Sequence, residues 1–105
     1  MGKAVGERLE AMLAKGEDNP LLRFGLGNFY YGEKEYIKAI PHLLACVAQQ
    51  SEHSAAWKLL GRSYHALNEK EKALNAYQKG LEVAIANGDK QVEKELRVFI
   101  AKLAK

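Results

Sequence analysis

The chain is poor in the features that would make it an extracellular, membrane or β-sheet protein. Its one cysteine, Cys46, leaves no partner for an internal disulfide. That favours a reducing compartment, and a cytoplasmic location is the expectation. No apolar run approaches the roughly 18 residues that a membrane-spanning helix requires. Met1-Gly2-Lys3 leads into mixed polar sequence, without the apolar stretch of a signal peptide. Sustained apolar/polar alternation is missing, and no Asn-Gly turn sits between β-branched runs, so strands are not expected. Charge of neither sign dominates. Residues 1–52 hold six Lys/Arg against seven Asp/Glu, and residues 53–105 hold ten against six, for a net +3 overall. The mild basic bias of the second half favours acidic partners, but it is too interspersed with glutamate to argue for nucleic acid. What remains is a chain of 105 residues, 48% apolar and 28% charged, which suits one small globular domain.

Within that ordinary composition the chain repeats itself. Trp57-x-x-Leu60-Gly61-x-x-Tyr64 is followed by Ala73 and Tyr77. Thirty-four residues earlier stand Leu26-Gly27-x-x-Tyr30, then Ala39 and Leu43. Residues 20–53 laid on 54–87 share six identities, namely Leu26/Leu60, Gly27/Gly61, Tyr30/Tyr64, Glu35/Glu69, Lys38/Lys72 and Ala39/Ala73. Four of the six are small, apolar or aromatic, as packing constraint would dictate. A period of this length is that of a stacked helix-turn-helix unit.

Apolar spacing and capping signals divide the chain into six helices. A leading helix spans Lys3 to Lys15, with Val5, Leu9, Met12 and Leu13 on its packing stripe and Gly16 as its stop. Asp18-Asn19-Pro20 starts the second helix, which runs to about Tyr31. The third runs from about Glu35 to Gln49 and should bend at Pro41. The fourth and fifth cover Ala55 to Leu67 and Glu71 to Ala86. Asn87-Gly88-Asp89 then begins a closing helix through Leu103. Its stripe of Val92, Leu96, Phe99 and Leu103 should cover the last pair, with Lys90, Glu93, Lys94, Arg97 and Lys102 in solvent. The expected domain is single: leading helix 3–19, repeat units 20–53 and 54–87, capping helix 88–105. Gly27 and Gly61 should mark close helix crossings, with Ala39 and Ala73 on the far side.

These motifs resemble the tetratricopeptide repeat. The second copy carries Trp57, Leu60, Gly61, Tyr64, Ala73, Tyr77 and the small Gly80. The first carries Leu26, Gly27, Tyr30, Ala39, Leu43 and the small Cys46, but Arg23 stands where the family has a large residue. The resemblance covers about residues 3–87. It implies an all-α superhelix of antiparallel pairs whose concave side holds an extended peptide or a partner helix. One variant of the family clamps a C-terminal carboxylate with Lys and Asn. The positions to check for that are Phe24, Asn28, Leu59, Asp89 and Glu93, where only Asn28 is of the right type.

Catalytic or cofactor chemistry finds little footing. No Ser/His/Asp or paired-carboxylate arrangement emerges from the spacing. Gly25-Leu26-Gly27 follows no strand and lacks the third glycine of a dinucleotide loop. His42 and Cys46 lie four apart but have no further cysteine, so Cys46 reads as structural and no metal or cofactor is expected. The informative stripe lies one residue beyond the packing stripe, a turn of about 100°. It comprises Phe24, Asn28 and Tyr31 on one helix and Lys58, Arg62 and His65 on another, each set sharing one face, and the resemblance implies that this face lines the groove. The expected function is therefore a non-catalytic protein-interaction module that binds an acidic, apolar-anchored peptide or helix along these six residues. The alternatives are a self-assembling homodimeric subunit, or weak nucleic-acid binding through Lys58, Arg62 and Arg97.

Overall fold

A computed structural model of the protein describes residues 2–104. Six helices follow one another: α1 Gly2–Ala14, α2 Pro20–Gly32, α3 Tyr36–Gln49, α4 Ser54–Ala66, α5 Lys70–Asn87 and α6 Lys90–Leu103. There is no strand among the described residues, and no helix is long and apolar enough to cross a membrane.

Local chemistry explains the boundaries. Asn19 Oδ1 accepts from the Leu22 N–H at 2.8 Å, with Pro20 in the first turn of α2. Asp89 caps α6 by accepting from the Val92 N–H at 3.3 Å. The cap of α4 is His53, whose Nδ1 accepts from the Ala56 N–H at 3.1 Å. Each helix pair closes with the same turn. Lys34 and Asn68, one period apart, both take positive φ, at 61° and 62°. The next N–H, of Glu35 or Glu69, reaches back to the carbonyl of Tyr30 or Tyr64 at 2.9 Å. Helix α3 runs unbroken through Pro41.

The helices form two layers. Helices α2 and α4 pack against α3 and α5 as the two principal pairs, α6 closes on α5, and α2, α4 and α6 neighbour one another as an inner row. The backbones of α3 and α5 stay apart on the outer side. The core runs through both pairs. Ala39, Leu43, Leu59, Leu60 and Ala76 form one cluster, and Ala73, Tyr77, Ala84, Val92 and Leu96 form the next.

The repeated glycines sit at close crossings, though not opposite the expected alanines. A Cβ on Gly27 would lie 2.5 Å from Leu43 Cδ2, and one on Gly61 would lie 2.4 Å from the Tyr77 ring. Ala39 and Ala73 are fully buried beside these contacts.

The backbone of helix α1 packs on α2, and of its expected stripe Leu9, Met12 and Leu13 are half-buried there while Val5 falls outside the seam. Val5 is 50% exposed, whereas Gly6 is buried directly under the Phe29 ring. A polar network completes this seam. Arg23 binds the Asp18 carboxylate through Nε and Nη2, both at 2.8 Å, and its Nη1 lies 3.0 Å from His42 Nδ1. Gln49 also donates to Asp18, and the Tyr30 hydroxyl donates to Glu10. An arginine can only donate, so His42 is neutral there, with its proton on Nε2 facing Glu10.

Candidate functional site

The inner row carries all six stripe residues, but the fold uses them in three ways. Phe24 does not stand free in a groove. It is half-buried, its ring lies 4.7 Å from His53, and it packs on two core clusters between the repeats. Lys58 is also committed, since its Nζ sits 2.8 Å from Glu95 Oε1 on α6. That hydrogen bond holds the Glu95 carboxyl below its usual range. Both residues were expected on an open face. The third inner helix takes the charge of Lys58, and repeat stacking takes the ring of Phe24. Asn28 is exposed on α2.

Tyr31, Arg62 and His65 come together at the C-terminal ends of the inner helices. They line a recess of about 370 Å³ with Tyr36, Tyr77, Phe99 and Lys102. The Arg62 guanidinium carbon lies 4.9 Å from the Phe99 ring centre and 5.7 Å from that of Tyr31. Two aromatic faces thus hold one cation in place, each such contact contributing about 0.5–1 kcal/mol at an exposed site. Tyr31 is fixed in turn by an edge contact with Tyr36 at 5.5 Å. Phe99 stacks on Tyr77, also at 5.5 Å. Burial pushes the Tyr77 hydroxyl up to about 12, so it stays protonated at neutral pH. The recess is therefore aromatic-walled and cationic, with donors from Arg62, Lys102 and His65 and no carboxylate in its lining.

Sequence reasoning missed Phe99 and Lys102. The signal was present, because Tyr31, His65 and Phe99 are successive members of one 34-residue column. Treating α6 purely as a cap hid the third member. The other end of the inner row is different in character. Asp89 is occupied in capping α6 and accepting from Ser54 Oγ at 2.9 Å, and Glu93 pairs with Arg97 at 3.1 Å. With Leu59 buried and Phe24 packed, those positions present no cationic clamp.

This is the architecture of a helical-repeat protein, with an inner row of three helices and an outer layer. No protein-family model matches the chain. It is 50% identical over 97 residues to the TPR repeat-containing protein PA0015 of Pseudomonas aeruginosa, covering 92% of each chain. It also matches the solution structure of protein BPP2914 from Bordetella parapertussis. That match has a TM-score of 0.83 at 45% identity and covers 95% of this chain and 87% of that one. The first TPR of Spaghetti (RPAP3), solved bound to the HSP90 peptide SRMEEVD, superposes with a TM-score of 0.69 at 22% identity, over 99% and 94% of the two chains. The chain belongs to the tetratricopeptide repeat family. Members of this family are in general protein-interaction modules.

Proposed function

We propose that the protein is a non-catalytic interaction module that seats an acidic peptide segment, anchored by an aromatic or apolar side chain, in the recess between α2, α4 and α6. The observation that carries this reading is Arg62, held between Tyr31 and Phe99 with Lys102 and His65 beside it. An arginine immobilised on two rings loses little further entropy when it binds a carboxylate. The rings offer the flat apolar surface that dominates peptide affinity. The opposite end of the inner row carries neutralised pairs and the Asp89 cap, so the acidic end of the ligand lies toward Lys102. Of the six stripe residues, Tyr31, Arg62 and His65 make the contact, Asn28 borders it, and Phe24 and Lys58 hold the frame.

The test is fluorescence-anisotropy titration with a labelled peptide of Glu and Asp flanking one Phe, compared with its Lys-substituted twin. Wild type should prefer the acidic peptide, and Arg62→Glu should weaken it about tenfold, or ~1.4 kcal/mol. Helicity should hold, because Arg62 is exposed. The difference should shrink as added salt shortens the Debye length below about 10 Å. Equal affinity of the two proteins for the acidic peptide would move the site away from this recess.

A further inference from the structure

A second recess, on the opposite side of the molecule, is independent of the inner face. It lies in the gap between α3 and α5 and measures about 430 Å³. Its floor is Trp57, Leu60 and Tyr64 of α4, its α3 wall is Leu44, and its α5 wall carries Lys72 and Lys79. The equivalent gap one repeat earlier, between α1 and α3, holds a recess of the same volume, but its lining is polar, with Glu10, Lys38 and His42 beside Tyr30 and Pro41. There Arg23 stands in place of Trp57, His42 in place of Ala76 and Glu10 in place of Leu44, each one period back. These polar residues bond to one another and to Asp18 and Tyr30 across the gap. In the second gap these polar residues are replaced by an indole, a methyl group and a leucine, so the two recesses differ in character and not in size, and the second is apolar.

The apolar surface continues outward along α3. Ile37, Pro41 and Leu44 share one helix face, with Ile37 73% and Leu44 44% exposed. The same three positions on α5 are Glu71, Asn75 and Gln78. Repeat packing therefore does not require apolar residues there, and α3 presents them where α5 does not. The lysines of the rim differ. Lys72 lies 5.7 Å from the Tyr64 ring centre and pairs with Glu69 at 3.2 Å, whereas Lys79 makes no ion pair among the described residues.

We infer that the α3–α5 cleft is a second docking surface, and that its occupant is an amphipathic acidic helix of a partner protein. Such a helix lays its apolar face on Leu44, Trp57, Leu60 and Tyr64, and its carboxylates reach Lys72 and Lys79. Charge complementarity selects this occupant, since the lining contains two lysines and no acid. The chain could then hold an extended segment inside and a helix outside at once.

The cleft carries its own reporter, because Trp57 is the one tryptophan of the chain. The probe is a synthetic amphipathic peptide of Leu, Ala and Glu, roughly 15 residues or four turns long, with no aromatic residue. Titration should shift Trp57 emission to the blue and saturate, and the Lys-for-Glu twin should give no shift. Leu44→Glu and Lys79→Glu should each weaken the response about tenfold, or ~1.4 kcal/mol. Both positions are exposed, so circular dichroism should match wild type. Arg62→Glu should leave the response unchanged, which separates this surface from the inner recess. Absence of a saturable shift, or an equal response to the twin, would overturn the inference. So would a response lost in Arg62→Glu but kept in Leu44→Glu. A shift that grows with protein concentration without peptide, and vanishes in Leu44→Glu, would make the occupant a second copy of the chain and overturn the acidic-helix assignment.

Discussion

Replacing Gly61 by alanine adds one carbon at the tightest point between α4 and α5. That carbon would sit 2.4 Å from both Cδ1 and Cε1 of Tyr77. Unstrained carbons approach to about 3.5–4.0 Å, so the overlap exceeds roughly 1 Å. Tyr77 has nowhere to go, being 1% exposed, stacked on Phe99 and enclosed by Ala73, Ala84, Val92 and Leu96. Either the pair spreads or the ring leaves its rotamer. Overpacking of this kind costs about 1–3 kcal/mol, here toward the upper end because the obstacle is a buried ring. Alanine gives back about 0.8–1 kcal/mol of helix propensity. The net loss is about 2 kcal/mol, which lowers the melting temperature by roughly 8–16 °C in a domain of this size. Gly25 is the internal control. It lies in the same kind of helix, but a Cβ there meets only the Leu9 side chain, at an ordinary 3.5 Å from Cδ1 and 3.9 Å from Cδ2. Gly25→Ala should therefore raise stability by about 0.5–1 kcal/mol. Thermal melts followed by circular dichroism read both signs. If Gly61→Ala melts at or above wild type, the close-crossing account of the repeated glycine is wrong.

Removing residues 89–105 should expose Tyr77, Ala73 and Ala84 and give a protein that aggregates, seen by light scattering; the milder Leu96→Ala should cost about 2–5 kcal/mol in a denaturant melt. Lys34→Gly should stabilise the chain by about 1 kcal/mol, because Lys34 holds φ at 61° where a side chain is strained, and an unchanged urea midpoint would refute it. His42→Gln should flatten the acid limb of stability against pH. Burial, the main cause, holds the His42 imidazolium below its usual 6.5, so the unfolded chain binds a proton that the folded one refuses, and stability falls as pH drops below 6.5. Asp18, held well below the usual carboxylate range by hydrogen bonds from Arg23 and Gln49, loses its contribution only at still lower pH. A variant whose urea midpoint depends on pH as steeply as wild type between about 5 and 6.5 would exonerate His42.

Helix positions were legible because caps and apolar spacing are local. No expected boundary moved by more than one residue, and Asn19, Gly16 and Asp89 did what their types imply. Partners across helices were harder. The glycines face Leu43 and Tyr77 instead of Ala39 and Ala73 because side chains tilt toward the N-terminus of their helix. The residue one turn further along therefore reaches back over the crossing. Helix α1 was misread by one position, from Val5 to Gly6, because its stripe is narrow and the Phe29 ring that Gly6 receives lies far along the chain. Lys58 was correctly placed on the inner face, yet its freedom depended on Glu95, which comes from a helix read only as a lid. Spacing put Arg62 and His65 on one face and Tyr31 on the matching face one period back, and the family resemblance turned those faces toward the groove. The ring that completes their recess, Phe99, needed the period carried one step further.

The two ends of the array are held by different chemistry, and this bears on the recess. Helix α1 is seated by a glycine under a ring and by a chain of charged and polar side chains, Glu10, Tyr30, His42, Arg23 and Asp18. Helix α6 is seated by Val92, Leu96, Phe99 and Leu103 on the apolar side of α5, with Lys58–Glu95 as its ionic tie. Falling pH charges His42 in the first seam well before it reaches Asp18, and it leaves the apolar part of the second intact. The recess draws Phe99 and Lys102 from α6 and nothing from α1. Loosening of α1 at mildly acidic pH therefore leaves the Tyr31–Arg62–Phe99 stack assembled. The proposed site thus draws on the end of the molecule that lacks the His42–Arg23–Asp18 network, so affinity for an acidic segment should outlast the seating of the leading helix as pH falls.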